Sequence, residues 1–296
     1  LAASEGRLPA HGSHVRRLLA RPCCRCGRHA MPKCQDAGQH EPLTKRLRNV
    51  LKDYPSDITI LKEYAQNADD AGAQCVHFVW DFRPASEKPV FPDWPRTKLW
   101  LGASLWIYND SSFAEADFQG IRSLGEGGKP VGSGKIGRFG LGFCSSYNLT
   151  DLPQVVSGGK CLVFDPHRRF LTREGELMDL FDEDNQREID AYPGFFEAHR
   201  TLAVDGVPAL DLQNLPYAGG HGTLFRLPFR TEATLQEGCD ISTLQVTEGH
   251  IDMLEEQFRQ EAHLWLLFLK NLAALRMSCI GADGEVVLVH DVVRRE

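Results

Sequence analysis

The sequence predicts an α/β domain on three observations. Stretches with apolar residues three and four apart alternate with short runs of β-branched and aromatic residues. A glycine-dense segment lies between two of these elements. The composition is that of an ordinary globular chain: of 296 residues, 42% are hydrophobic and 25% are charged. No apolar run reaches the roughly 18 residues that a membrane-spanning helix needs. The formal net charge is −7, and no basic stripe runs through the main body, which argues against a nucleic-acid partner. Nine scattered cysteines suit a reduced, cytoplasmic chain.

Residues 1–40 mix Gly, Pro, Arg, His and Cys without periodicity and read as an irregular leader. They lack the apolar core of a secretory signal. Cys23, Cys24 and Cys26 with His29 lack the spacing of a zinc site.

From residue 41 the pattern sharpens. Leu43, Leu47, Val50, Leu51 and Tyr54 form a helical stripe that Pro55 stops. Ser56 or Asp57 can cap the next helix, "ILKEYAQNADDAG", which Gly72 ends. "CVHFVW" (75–80) reads as a strand and 82–98 as a proline-bearing loop. "SLWIY" (104–108) is a second strand, and 114–125 is helical with acids in its first turn. A helix is expected after the glycine-dense segment, through Tyr147. "PQVVSG" and "KCLVFD" form a hairpin, 168–220 is ambiguous, and "GTLFRLPF" (222–229) is a strand. A long helix spans 247–275 with Met253, Leu254, Phe258, Ala262 and Trp265 on its apolar face. A strand, turn and strand follow.

The second helix carries Glu63, Asn67 and Asp70 at i, i+4 and i+7, a polar row on one face. Carboxylate, carboxamide and carboxylate beside small alanines are an unusual solvent face. The glycine segment 125–143 fails the P-loop template, because Gly128 to Gly134-Lys135 has the wrong spacing and Ile136 follows the lysine. Gly132-Ser-Gly134-Lys-Ile-Gly137 matches a dinucleotide fingerprint, but no strand precedes it. A third template fits: a long glycine segment ending at a helix start, where Gly137, Gly140 and Gly142 leave backbone N–H groups open to phosphate oxygens.

Together, "EPLTKRLRNVLKDYP", "ILKEYAQNADDAGA", "YNDSSF", "KIGRFGLGF", "LTDLP", "SGGKCLVFDPH", "GTLFRLPFR" and "LLFLKNL" resemble the sacsin repeat ATPase domain. That family is one branch of the ATP-binding fold shared by DNA gyrase, the ninety-kilodalton heat-shock chaperones, sensor histidine kinases and MutL. The resemblance covers roughly residues 38–280. It implies a Bergerat-type two-layer sandwich, a mixed sheet with helices on one face, over residues 41–280, with 281–296 beginning a following segment.

The same resemblance implies the site. Asn67 would hold Mg²⁺ through its amide oxygen, and Glu63, one turn earlier, would activate the attacking water. Asp70 would lie at the floor of the purine pocket, with Thr223 adding a hydroxyl. Gly137, Arg138, Phe139, Gly140, Gly142 and Phe143 would close on the phosphates, and residues 123–136 would form a lid. Either Asn109 or Asp110 would read adenine. Alternation along the strand places Asn109 with Leu105 and Ile107 and Asp110 on the other face. Asn109 is therefore the expected reader, with Asp110 acting through water.

The implied function is Mg-ATP binding with slow hydrolysis that drives lid closure in a sacsin-like chaperone or co-chaperone. Its partners would be ATP, client proteins or chaperones, and other domains of a larger protein. A nucleotide-binding module without turnover is the alternative, since heat-shock chaperones complete hydrolysis with an arginine from a following domain. A histidine kinase would need a periodic phosphoacceptor helix before the core, and a topoisomerase-type ATPase a basic groove.

Overall fold

In a computed structural model, which describes residues 41–54, 57–123, 142–211 and 222–294, the expected interleaving of helices and strands is present. The chain divides between His40 and Glu41, and the leader 1–40 lies outside the described residues.

Helix α1 (Leu43–Leu51) is followed by α2 (Thr59–Asp70), whose first turn is held by the Asp57 carboxylate accepting the Thr59 N–H at 2.8 Å. Strand β1 (Cys75–Asp81) leads through the proline-bearing loop and a 3-10 helix (Pro95–Trp100) to β2 (Ser104–Asn109). Helix α3 (Glu115–Arg122) starts where Asp117 accepts the Ala114 N–H at 2.8 Å. After Gly142 the helix expected through Tyr147 is present as a 3-10 helix, Phe143–Asn148. The hairpin β3 (Gln154–Ser157) and β4 (Lys160–Phe164) follows.

The ambiguous stretch resolves into β5 (Gly175–Asp179), α4 (Glu183–Ala191) and α5 (Glu197–Arg200). Beyond β6 (Thr223–Pro228) lies a short α6 (Glu232–Gln236), which the periodicity missed. Helix α7 (Glu248–Phe268) ends earlier than expected, because the chain turns back at Leu269 into β7 (Ala274–Ile280) and β8 (Val286–Val293). Residues 281–294, expected to open a following segment, therefore include the last strand of this sheet.

The eight strands form one sheet in the order β5-β4-β3-β6-β2-β1-β7-β8. Neighbours are antiparallel except β1 and β7, which are parallel, so the sheet is mixed. Alternation sorts its residues. Phe78, Trp80, Leu105, Ile107, Phe225 and Met277 face a core with Leu47 of α1, Leu61 and Tyr64 of α2, Phe118 of α3 and Phe258 of α7. Met253, expected on the inner face of α7, is 39% exposed; Ile251 and Leu266 are buried there instead.

The other face of the sheet is also covered. Val79, Trp106, Tyr108, Val156 and Leu224 pack against Trp94, Trp100, Phe195 and Phe196 from the loops, the 3-10 helix and the α4–α5 region. Buried Arg226 stacks over Trp106 at 5.1 Å and donates to Ser104 Oγ and to the Leu101 and Gly102 carbonyls. The helical layer thus lies on one face, and a cover of loops and short helices lies on the other.

Candidate functional site

The site forms on the helical face, where the C-terminal half of α2 meets the end of β2. A cavity of about 60 Å³ is lined by Tyr64, Asn67 and Ala68 of α2 and by Ala71, which caps that helix, by Asn109, Ser111 and Phe113, by Asp117 and Ile121 of α3, and by Phe143 and Phe225. Ile121 and Phe143 also line a groove of about 450 Å³ that runs on toward Arg122, Arg173 and the Arg168–Glu174 ion pair (2.8 Å).

Three aromatic contacts shape the walls. The Tyr64 ring meets Phe225 edge-on at 4.9 Å, and Phe113 lies 5.9 Å from Phe225 and 5.2 Å from Phe118. The Tyr64 hydroxyl shares a 2.7 Å hydrogen bond with Ser146 Oγ, which in turn donates to the Phe143 carbonyl at 2.6 Å. The 3-10 helix after the glycine-dense segment is therefore fastened to α2. Burial raises the Tyr64 phenol above its ordinary pKa, so this hydroxyl stays protonated.

Gly142 is where that fastening brings backbone against side chain. A Cβ at Gly142 would overlap Glu63 Oε2, stand 3.1 Å from the Glu63 carboxyl carbon and lie 3.7 Å from Asn67 Nδ2. A side chain at this position would require the Glu63 carboxyl to swing aside. Burial pushes the Glu63 carboxyl above its ordinary value of 4.5, the direction that suits a group required to accept a proton. The Asn67 carboxamide has no hydrogen-bond partner among the described residues.

Asn109 ends β2 and is 7% exposed. Its Oδ1 accepts the Ser111 N–H at 3.1 Å, and Ser111 Oγ donates to the Ala71 carbonyl at 2.8 Å, tying this turn to the end of α2. Asp110 points away from the cavity: its Oδ1 accepts the Gln74 N–H at 2.8 Å and the Cys75 N–H at 3.2 Å. Thr223 is buried behind the turn, where its hydroxyl donates to the Ser111 carbonyl at 2.8 Å and meets Ser157 Oγ at 2.8 Å. Gly222 precedes it with φ +122°, and a Cβ there would press on Tyr108 and the Asn109 carbonyl.

Of the residues expected here, Asn67, Asn109 and Phe143 line the cavity, and Glu63 and Gly142 meet beside Asn67. Asp110 and Thr223 brace the turn from outside it. Asp70 does not line it either. Tyr64, Asn67, Ala68 and Ala71 span one α2 face, and at about 100° per residue Asp70 falls beyond the edge of that arc. Gly137, Arg138, Phe139 and Gly140, together with residues 124–136 of the expected lid 123–136, lie outside the described residues.

Asp117, Ser111 and the aromatic wall were not singled out from sequence. Asp117 reads as a first-turn acid and Ser111 as a turn residue, and only the fold brings them to the cavity. Asp69 was missed as well. It is 5% exposed, and its carboxylate accepts the Lys270, Asn271 and Leu272 N–H groups at 3.0, 2.6 and 2.9 Å.

The donor set can be tested against Mg²⁺. The ion prefers oxygen ligands, keeps several waters and uses one or two protein groups beside substrate phosphates. An unpartnered Asn67 amide near the Glu63 carboxylate fits that pattern. No group of three or more His, Cys, Asp or Glu suited to a metal exists among the described residues, so the site does not resemble a cage built wholly of protein ligands.

Among solved structures, the crystal structure of the N-terminal domain of a DNA repair protein aligns with a TM-score of 0.39 and 10% identity, over 84% of this chain and 56% of that one. That likeness is too distant to carry an argument. Human sacsin is 32% identical over 259 residues, which cover 84% of this chain and 6% of the human protein. The chain thus spans a small part of its relative's length. The Sacsin domain family model matches residues 40–288, and the chain belongs to that family.

Proposed function

We propose that this domain binds Mg-ATP in the cavity between α2, the β2 turn and Phe143, and hydrolyses it slowly, as part of a sacsin-like chaperone or co-chaperone in the cytoplasm. The observation that carries this reading is the meeting of Glu63 and Asn67 with the backbone of Gly142, at the end of a glycine-dense segment, beside a cavity that Asn109 closes. The base would lie against Ala68, Ala71 and Phe113, and the phosphates would extend past Asn67 toward Gly142. Mg²⁺, when bound, neutralises phosphate charge, and Asn67 is the residue that would hold it. Glu63 orients a water and accepts its proton, with its raised pKa placing the carboxylate nearer neutrality.

A second reading, a nucleotide-binding module without turnover, draws on two observations. The cavity of about 60 Å³ lies well below the roughly 300–1,000 Å³ of ordinary ligand pockets. No lysine or arginine lines it among the described residues; Arg122, Arg168 and Arg173 line the adjoining groove. Nucleotide entry would require Phe113, Ile121 or Phe143 to shift, and charge stabilisation in the transition state would be meagre.

Calorimetric titration with Mg-ATP and Mg-ADP, run beside a phosphate-release assay on wild type and Asn67→Ala, separates the readings. Binding that Asn67→Ala abolishes, with measurable turnover, supports the ATPase. Binding without turnover selects the module. Equal Mg-ATP affinity in both proteins would remove Asn67 from the site.

A further inference from the structure

Asn109 offers the cavity a different chemistry from that of a carboxylate. Its Oδ1 already accepts the Ser111 N–H at 3.1 Å. That bond settles which end of the carboxamide is which, because an NH₂ in the same place would set donor against donor. Nδ2 has no partner among the described residues, and Asn109 lines the cavity. What remains is one lone pair on Oδ1 and two N–H bonds on Nδ2.

The other polar groups of the β2 turn are engaged. Asp110 Oδ1 holds the Gln74 and Cys75 N–H groups, Ser111 Oγ donates to the Ala71 carbonyl, and Thr223 Oγ1 donates to the Ser111 carbonyl. Asp117 also lines the cavity, with one oxygen on the Ala114 N–H. At the end of β2, the reading of a base therefore falls to the Asn109 carboxamide.

A carboxylate only accepts hydrogen bonds, so it favours a 6-amino group and opposes a 6-oxo group. A carboxamide matches both edges. Its oxygen can accept from the N6–H of a 6-aminopurine while Nδ2 donates to N1. Alternatively, Nδ2 can donate to O6 of a 6-oxopurine while the oxygen accepts from N1–H. We infer that Asn109 makes this a purine site that does not discriminate at C6, so that inosine and guanosine triphosphates are ligands as well as ATP. The inference rests on the proposed nucleotide reading and adds its base specificity.

The test is calorimetric titration of wild type and Asn109→Asp with the magnesium complexes of ATP, ITP, GTP and UTP. ITP isolates the C6 position, because it lacks the 2-amino group of guanine. Wild type is expected to bind ATP and ITP within about tenfold of each other, as a reader matched to both edges should. UTP should bind far more weakly. Asn109→Asp keeps an oxygen for the Ser111 N–H but turns the Nδ2 donor into an acceptor, so ATP loses its bond to N1 and ITP its bond to O6, and both should weaken roughly tenfold; unchanged affinity for both would take Asn109 out of base reading. If the variant fails to fold, the wild-type ATP-to-ITP ratio decides alone.

A wild-type preference for ATP over ITP beyond about a hundredfold, the span that hydrogen-bond readout supplies, overturns the inference and leaves nucleotide binding standing. UTP binding as tight as ATP overturns the purine assignment. Absence of binding by any of the four removes the nucleotide reading as well.

Discussion

Replacing Asp69 with alanine should unlatch the end of α2 from the chain that leads into β7. The carboxylate is 5% exposed and receives three consecutive N–H groups, from Lys270, Asn271 and Leu272. The Asn271 side chain returns a bond to the Asp69 carbonyl at 2.7 Å. This latch joins the last turn of α2 to the start of β7, about 200 residues later in the chain. Truncation leaves one buried donor (Leu272) and two half-buried ones without an acceptor. An unsatisfied buried donor costs about 1–3 kcal/mol, and the half-buried ones regain part of their loss from water, so the sum is roughly 3–5 kcal/mol. For a domain of this size that corresponds to a fall in Tm on the order of 10 °C.

Thermal melts followed by circular dichroism, with urea unfolding as a second measure, read the change directly. Asp69→Asn keeps one acceptor oxygen and should fall between alanine and wild type. An Asp69→Ala protein within about 1 kcal/mol of wild type, smaller than the loss of one buried acceptor, would refute the latch.

Four shorter expectations concern the site. Asn67→Ala should lose Mg-ATP affinity with its Tm unchanged, read by calorimetry and thermal melts. Glu63→Gln should retain ATP and lose roughly 10²- to 10⁴-fold in any turnover the wild type shows. Because burial raises the Glu63 pKa, its ionisation opposes folding: the associated stability is complete below the ordinary value of 4.5 and is lost as pH rises through the raised folded value. Glu63→Gln should therefore melt above wild type at neutral pH, and the gap should close in acid. Asp110→Ala should lower Tm through the freed Gln74 and Cys75 N–H groups while leaving nucleotide affinity near wild type; a large affinity loss with unchanged Tm would reverse the roles of Asn109 and Asp110.

Much of this fold was legible because its strands alternate cleanly. Leu105 and Ile107 against Trp106 and Tyr108 fixed the parity that carries Asn109 to the helical face, and the hairpin and β6 followed from similar runs. What stayed hidden depends on distant partners. Asp69 and Asp70 are adjacent acids, and nothing local tells which one meets the backbone at Lys270. The row Glu63, Asn67 and Asp70 was drawn along the edge of the cavity-facing arc of α2. Its centre lies toward Tyr64 and Ala71, whose small or aromatic side chains read as core. Strand β5 and helix α4 escaped because they are edge or surface elements rich in charge, with little apolar period to detect.

The second apolar cluster, on the face of the sheet away from the site, bears on how variants of this domain will behave in cells. Trp106, Phe195, Phe196 and Leu202 are buried there, on the face opposite the candidate site, yet they pack against the strands that carry Asn109 and Thr223. Truncating such a residue costs about 2–5 kcal/mol, a large share of a typical domain's margin. Protein quality control removes chains whose unfolded fraction rises, so the deficit would appear as reduced steady-state amount. Measured per cell, activity would fall as though the site were damaged; measured per folded molecule, it would be intact. Assays that normalise to folded protein will separate variants on this face from those at Asn67 or Glu63.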